Sequence, residues 1–477
     1  MIKNFLSRYN PRYPRSLVYM LQASEYNIRD YLAWYHRTID FVHVEKRKQF
    51  VKTKKALLLL RICWIIIFSL IGSGVWALLG VAAPLNYVFF VLIILVSPYM
   101  LAYIIVIPLS LIETFIQKPI ESAIIRRAQQ KLKDHKAIKI GIAGSFGKTT
   151  MREILKTVLS EGKKVAAPPR SYNTPLGISE FINTLQGDED VLIFELGEYY
   201  PGDVRKLCDL VQPDMGVITG VNEAHLEKFE TLEKTAATIF ELADYLGEKR
   251  TYVNGESELA RKNARSTHII YDKQHVGDWK IENQKSDLNG TSFTLTNNAA
   301  SLELNSALLG VHQIGPLGVA ADLASNLGLW PDLVKRGIGK TKPFDHRLDP
   351  KIDGAGVITL DDSYNGNPDG VKAVIDFLAA LKDHRRFYVT PGLVEMGVRT
   401  EEVHKQIGRD LASAHIEKVV LIKNSVTSYI EEGLKEAGYN GEVIWFDDAL
   451  AAFAALPHMT VKGDVVLLQN DWPDQYQ

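Results

Sequence analysis

The segment Lys139-Ile-Gly-Ile-Ala-Gly-Ser-Phe-Gly-Lys-Thr-Thr150 places small residues, one cation and two hydroxyls where a phosphate can be held. An apolar run, Ala137 to Ile142, feeds a glycine-bearing loop, and Lys148-Thr149-Thr150 opens a helical stretch. In that context the amides of Gly144, Ser145, Phe146 and Gly147, with those of the helix N-terminus, face an anion. Lys148 brings a point charge to the β- and γ-phosphates, and Thr149 offers a hydroxyl to Mg²⁺. The full G-x-x-x-x-G-K-[ST] pattern is missed by one place, because Ile142 stands at the first glycine and Gly141 lies one residue early. The shorter core from Gly144 to Thr149 is intact, and strand, loop and helix come in the order that a nucleoside triphosphate site requires.

Three more polar clusters fall at the ends of apolar runs, where ligands of open α/β sheets bind. Phe194-Glu195-Leu196-Gly197 leads to Pro201-Gly202-Asp203, and a carboxylate closing a strand beyond a phosphate loop can hold Mg²⁺ or orient a reacting group. Thr219-Gly-Val-Asn-Glu-Ala-His-Leu-Glu227 sets His225 just past another buried strand, where it can ligate a second metal or orient an anion; taken alone, such a histidine is more often structural. Leu360-Asp-Asp-Ser-Tyr-Asn-Gly-Asn-Pro368 packs two aspartates and two asparagines into one turn, more than a turn needs.

The elements that must position these groups follow from periodicity. Ala137–Ala143, Val191–Leu196 and Met215–Val221 read as buried parallel strands, with helices such as Thr150–Glu161 and Ser179–Leu185 between them. Residues 267–305 alternate polar and apolar types and suggest a small antiparallel insertion. Near Lys340–Phe344 a second alternating unit begins, with strands at Gly356–Leu360, Arg386–Thr390, Lys418–Ile422, Val443–Phe446 and Asp464–Leu468. The fold class predicted is α/β: a doubly wound central domain (137–342) carrying the P-loop and a Rossmann-like C-terminal domain (343–477).

Upstream, Ile62 to Ile112 contains no Asp, Glu, Lys or Arg, whereas one membrane-spanning helix needs only about 20 apolar residues. Gly80, Pro84 and Asn86 interrupt the run near its middle, so residues 56–112 read as a two-helix transmembrane hairpin. Residues 1–55, rich in Tyr, read as an interfacial or juxtamembrane helical segment, and 113–136 as a charged connector helix. Lys46, Arg47, Lys48, Lys52, Lys54, Lys55 and Arg61 precede the first span, and Lys118, Arg126, Arg127, Lys131 and Lys133 follow the second. Both flanks therefore favour the cytoplasm, which predicts a multi-pass protein of the cell membrane with its phosphate loop on the ATP-containing side. The net charge of −1, with no basic stripe outside those flanks, argues against nucleic-acid binding; the two cysteines, Cys63 and Cys208, have no metal-ligand spacing and fit a reduced compartment.

From about residue 137 to the C-terminus the clusters resemble the Mur ligases, ATP-dependent amide-forming enzymes of peptidoglycan assembly, and most of all those members that add D-alanyl-D-alanine to a UDP-linked tripeptide. The likeness rests on Gly144-Ser-Phe-Gly-Lys-Thr-Thr150, Asn173-Thr-Pro-Leu-Gly177, Glu195-Leu-Gly197 with Pro201-Gly-Asp203, Ala224-His-Leu-Glu227, His346-Arg347-Leu348, Asp361-Asp-Ser-Tyr-Asn-Gly-Asn-Pro368 and Glu395-Met-Gly397. The resemblance implies ATP and Mg²⁺, an acyl phosphate formed on a substrate carboxylate, and its displacement by an amine. It implies that Lys148 meets the β/γ-phosphates, Thr149 and Glu195 hold one Mg²⁺, His225 helps hold a second, and Asn173 lies near the γ-phosphate. Arg347, Asp362, Asn365 and Asn367 would reach the nucleotide from the C-terminal domain. Three departures stand out. Ile239 occupies the place of a lysine that is often carbamylated in the family, although Glu241 is kept. His312-Gln313-Ile-Gly-Pro316 replaces the adenine-holding His-Asn-x-x-Asn, and only a connector stands where a UDP-binding domain is usual. The acyl partner is thus a UDP-linked or a lipid-linked peptidoglycan precursor, the amine an amino acid or dipeptide such as D-Ala-D-Ala, and membrane lipid the surroundings of the hairpin. A poly-amino-acid synthase and a degenerate nucleotide-binding scaffold remain alternatives, and the oligomeric state is open.

Overall fold

The computed structural model describes residues 2–45, 49–80, 83–169, 172–222, 229–298, 300–364, 366–394 and 396–470. They fall into two units, the first ending at Ala123 and the second beginning at Ile124.

The first unit is helical: α1 (Ile2–Arg8), α2 (Tyr13–Ala23), α3 (Ile28–Arg37), α4 (Lys54–Gly80), α5 (Leu85–Ile104) and α6 (Val106–Ile112). One turn of π-helix, Glu113–Gln117, then leads into α7 (Lys118–Lys133). The helices Lys54–Gly80 and Leu85–Lys133 are both long and apolar enough to cross a membrane. The outward faces of α4 and α5 are apolar, with Trp64, Ile65, Phe68, Trp76, Leu79, Tyr87, Val91, Leu92 and Val96 exposed. The N-terminal segment does not lie apart from the hairpin. Leu17, Met20 and Leu21 of α2 form one core with Leu59, Cys63, Leu101, Ile105 and Leu109. Pro98 inside α5 cannot donate to the carbonyl of Ile94, a loss that in a helix interior costs roughly 3 kcal/mol. The Ser97 hydroxyl donates to that carbonyl at 2.9 Å, and the Tyr9 and Tyr13 hydroxyls donate to Leu95 O and Pro98 O at 2.6 and 3.0 Å.

In the second unit ten strands form one sheet, in the order Ser301–Ser306, Gly290–Thr296, Trp279–Asp287, His275–Val276, Ile269–Tyr271, Thr251–Asn254, Met215–Ile218, Ile138–Ala143, Val191–Glu195 and Val165–Ala166. β1 (Ile138–Ala143), β2 (Val165–Ala166), β3 (Val191–Glu195), β4 (Met215–Ile218), β5 (Thr251–Asn254) and β6 (Ile269–Tyr271) pair in parallel. Parallel strands are covered on both faces, and β3 shows how. Val191 and Ile193 enter one core cluster with Met151 and Leu155, while Leu192 and Phe194 enter another with Ile178, Leu207 and Leu242. Ala128 and Leu132, on the last turns of α7, join this second cluster. From His275 onward the 267–305 segment is antiparallel, as its alternation predicts, and it is built into the same sheet. Its strands β7 (His275–Val276), β8 (Trp279–Asp287), β9 (Gly290–Thr296) and β10 (Ser301–Ser306) extend the same sheet from β6 outward as an antiparallel wing.

A second sheet has six strands, in the order Asp349–Ile352, Ile358–Asp362, Val465–Gln469, Arg386–Thr390, Lys418–Ile422 and Glu442–Phe446. β12 (Ile358–Asp362), β13 (Arg386–Thr390), β14 (Lys418–Ile422), β15 (Glu442–Phe446) and β16 (Val465–Gln469) are parallel and lie where the apolar runs predict strands, with ends shifted by a residue or two. β11 (Asp349–Ile352) is antiparallel and unforeseen in sequence: it is short, polar and carries Pro350, as an edge strand can.

Candidate active site

The parallel register brings the C-terminal ends of β1, β3 and β4 level, with Ile142 opposite Glu195 and Ala143 opposite Ile218. The Gly144–Gly147 loop leaves β1 there and turns into α8 (Lys148–Leu159). Gly144 has φ +149°, and a Cβ on it would come within 2.2 Å of the Thr219 hydroxyl, so only glycine fits. Thr219 in turn donates to the Phe146 carbonyl. The Ser145 amide donates to Gly220 O at 2.9 Å, and the Asn222 amide to Ser145 Oγ at 3.2 Å. The loop is thereby pinned to the exit of β4. Gly147 caps α8 without any side-chain acceptor, leaving the first amides of that helix, including those of Lys148, Thr149 and Thr150, unclaimed by a cap.

Around this loop the charged groups form two pairs. Lys148 Nζ donates to both oxygens of Glu198, at 2.8 and 2.9 Å, and to the Gly144 carbonyl. Thr149 Oγ1 donates to Glu195 Oε2 at 3.0 Å, while Arg152 Nη1 lies 2.7 Å from Glu195 Oε1. Burial pushes the Glu195 carboxyl above its usual range, against the opposing pull of Arg152, Lys148, the Thr149 hydroxyl and Arg347. Asn173 stands beside the end of β3: its carbonyl accepts from the Gly197 amide at 3.0 Å.

The C-terminal domain supplies the other wall. Burial lowers the affinity of the Arg347 guanidinium for its proton, and Asp362, Tyr364 and Glu195 counter this, so Arg347 feels a carboxylate of each domain. Its guanidinium lies 4.8 Å from the centre of the Tyr364 ring. Asp362 accepts from the Leu348 amide at 3.2 Å and from Gln469 Nε2 at 2.8 Å, and burial raises its carboxyl. Asn367 caps the helix Pro368–Ala380 by accepting from the Gly370 amide at 3.0 Å. It also accepts from Asn222 Nδ2 at 2.8 Å, and the same Asn222 amide group lies 2.9 Å from Asp369 Oδ2.

Of the residues singled out in sequence, Lys148, Thr149, Glu195, Asn173, Arg347, Asp362 and Asn367 thus meet around one loop or its facing wall. His225 and Asn365 lie outside the described residues. Ile239 is fully buried in the apolar core, and Glu241 accepts from the Gly202 and Arg205 amides at 2.9 and 2.8 Å, capping the helix Asp203–Val211. Burial pushes His312 down to about 4, and its Nδ1 has no hydrogen-bond partner. Sequence reasoning passed over Arg152 and Glu198. Arg152 could have been found from its spacing, four residues after Lys148 on one helix face; Glu198 is the first residue after the Glu195-Leu-Gly197 cluster.

The residues present fit one Mg²⁺. The Thr149 hydroxyl meets Glu195 Oε2 at the mouth of the loop while Arg152 occupies Oε1, and a hydroxyl with a single carboxylate suits a cation that completes its shell with phosphate oxygens and water. Among the described residues no group of three or more His, Cys, Asp and Glu could hold a metal by itself.

Comparison with known proteins matches residues 142–321 to the Mur ligase middle domain and 346–469 to the Mur ligase, glutamate ligase domain. The chain is 28% identical over 354 residues to the UDP-N-acetylmuramoyl-tripeptide–D-alanyl-D-alanine ligase of Mycobacterium tuberculosis, covering 69% of each. To the ligase of the same name from Bacillus subtilis it is 23% identical over 332 residues, 69% of this chain and 72% of the other. In fold it is similar to the MurF ligase of Thermotoga maritima in complex with ADP, with TM-score 0.66 and 23% identity over 74% of this chain and 80% of that one. MurF from Acinetobacter baumannii gives TM-score 0.65 and 21% identity over 75% and 78%. With both family domains matched in order across the two sheets, the chain belongs to the Mur ligase family of ATP-dependent, ADP-forming ligases.

Proposed function

We propose that this chain is a membrane-anchored ligase that joins the carboxylate of a peptidoglycan precursor to the amine of an amino acid or dipeptide such as D-Ala-D-Ala, through an acyl phosphate. The observation that carries the reading is the convergence of the Gly144–Gly147 loop, Lys148 and the Thr149–Glu195 pair at one end of the sheet, with Arg347 within the field of Glu195. The names of the relatives supply the substrate class: a UDP-linked tripeptide and D-alanyl-D-alanine. On this reading the loop amides and Lys148 orient a triphosphate, and Thr149 with Glu195 holds Mg²⁺, which neutralises charge building on the transferred phosphoryl group. Arg347 and Asn367 come from the other domain, so bringing the domains together positions them on the nucleotide. No protein nucleophile is needed, because phosphoryl transfer rests on positioning and charge.

The apolar hairpin favours a precursor that is itself lipid-linked, since α7 alone connects it to β1. Confining enzyme and precursor to one surface raises their effective concentration. We assign the domains after the hairpin to the cytoplasmic side from the flanking Lys and Arg.

Amine-dependent ADP release by the detergent-solubilised protein, offered UDP-linked and lipid-linked precursors with D-Ala-D-Ala, tests the reading. Turnover with either precursor, lost in Lys148→Ala, is the result expected. ATP binding without turnover on any precursor would favour a nucleotide-binding scaffold instead.

A further inference from the structure

Lys148 does not stand free in its loop. Its ammonium is clamped between the Gly144 carbonyl and both oxygens of Glu198, and the two side chains are 13% and 2% exposed. Glu198 lies three residues beyond Glu195, yet the two carboxylates of this strand end are divided between different partners. Glu195 faces the Thr149 hydroxyl and Arg152, and Glu198 faces Lys148. A phosphate arriving at the loop therefore competes with Glu198 for one cation. If it wins, Glu198 is left enclosed beside an anion of its own sign, and like charges in an enclosed site repel strongly. A divalent cation travelling with the phosphates removes that conflict, because it lowers the incoming negative charge and gives the released carboxylate a positive group to face.

We propose that Glu198 is a positioning residue that parks Lys148 against its loop and yields it readily only to a phosphate accompanied by Mg²⁺, so that Glu198 makes nucleotide binding depend on the metal. This rests on the reading of Gly144–Thr149 as a phosphate loop. The role differs from that of Glu195, whose carboxylate sits on the hydroxyl expected to ligate the metal. It also differs from a packing role, because a buried pair that merely stabilised the fold would affect nucleotide with and without metal alike.

The test is calorimetric titration of ADP into the full-length, detergent-solubilised protein, once with Mg²⁺ and once with EDTA. In Glu198→Gln the affinity for ADP in EDTA is expected to rise about tenfold, a change of about 1.4 kcal/mol, and the affinity in Mg²⁺ to change much less. The ratio of the two dissociation constants then collapses toward one. Glu198→Asp keeps the charge but shortens the reach, and its ratio is expected between those of the wild type and Glu198→Gln. Lys148→Ala separates the two layers of the argument. If it binds ADP like the wild type, the phosphate-loop reading fails. If it loses binding while Glu198→Gln keeps the wild-type ratio, the positioning role fails and the loop stands. Should Glu198→Gln not fold, a wild-type ratio in Glu198→Asp overturns the positioning role equally.

Discussion

Arg152 is 3% exposed and its guanidinium lies 2.7 Å from Glu195, a carboxylate that is itself 2% exposed. Such a pair contributes little net stability over an apolar substitute, but removing one partner leaves the other charge buried and uncompensated, at about 3–5 kcal/mol. Arg152→Met is therefore expected to lower the denaturant midpoint strongly, and adding Glu195→Gln in the same chain should recover part of the loss. Full additivity of the two changes in urea titrations would mean that the contact carries no coupling. The same geometry gives Arg152 a part in the site: it leaves Glu195 Oε2 to Thr149 and holds Oε1 still. A substitution there is expected to weaken Mg²⁺-dependent nucleotide binding as well as the fold.

At the scale of elements, the joint between α7 and the central sheet is a hydrogen-bonded turn. His135 Nε2 lies 2.9 Å from Glu189 Oε2, and Glu189 also accepts from the Gln186 and Gly187 amides at 2.8 Å each. Burial alone would raise the Glu189 carboxyl, but those amides and His135 outweigh it and hold the group at about 2. A carboxyl held below its unfolded value stabilises the native state above that value, near 4.5, and the contribution fades as pH falls toward about 2. Glu189→Gln should thus be less stable than the wild type at neutral pH, with the gap narrowing between pH 5 and pH 3. Guanidinium midpoints measured across that range check it, and a gap that is constant with pH would show that Glu189 acts by packing alone. The contact of Asn222 with Asn367 and Asp369 is the matching joint between the two sheets.

At the scale of the molecule, the cut that separates the matched ligase domains from the apolar hairpin is set by packing. Ala128 and Leu132 belong to the core of the second unit, so a chain beginning at Ile124 keeps its apolar cover, whereas one beginning at Asp134 loses it. The chain from Ile124 is expected to be soluble and to bind ADP with the affinity of the full-length protein. On the lipid-linked reading it should lose most ligation of precursor held in vesicles, measured as ADP release per enzyme. Equal rates for the two forms on vesicle-held precursor would leave the hairpin no part in presenting the substrate.

Much of this protein could be read from residue order alone, for a physical reason. Parallel strands buried on both faces are continuous apolar runs, so β1, β3 and β4 stand out without their partners, as do β13 and β14. The candidate phosphate loop is equally local: Gly144 through Thr149 are contiguous, and the chemistry proposed for them follows from type and spacing. The charge-free stretch from Ile62 to Ile112 announces its two helices by length alone. What sequence could not determine depends on contacts between distant residues. The pairing of Lys148 with Glu198 spans 50 residues, Asn222 meets Asn367 across 145, and the docking of α2 on the hairpin joins segments whose own patterns say only that each is helical. The 267–305 wing shows the same limit, since alternation predicts strands but not which edge they extend. Register and closure are decided where cores are buried together, and only the tertiary structure contains those neighbours.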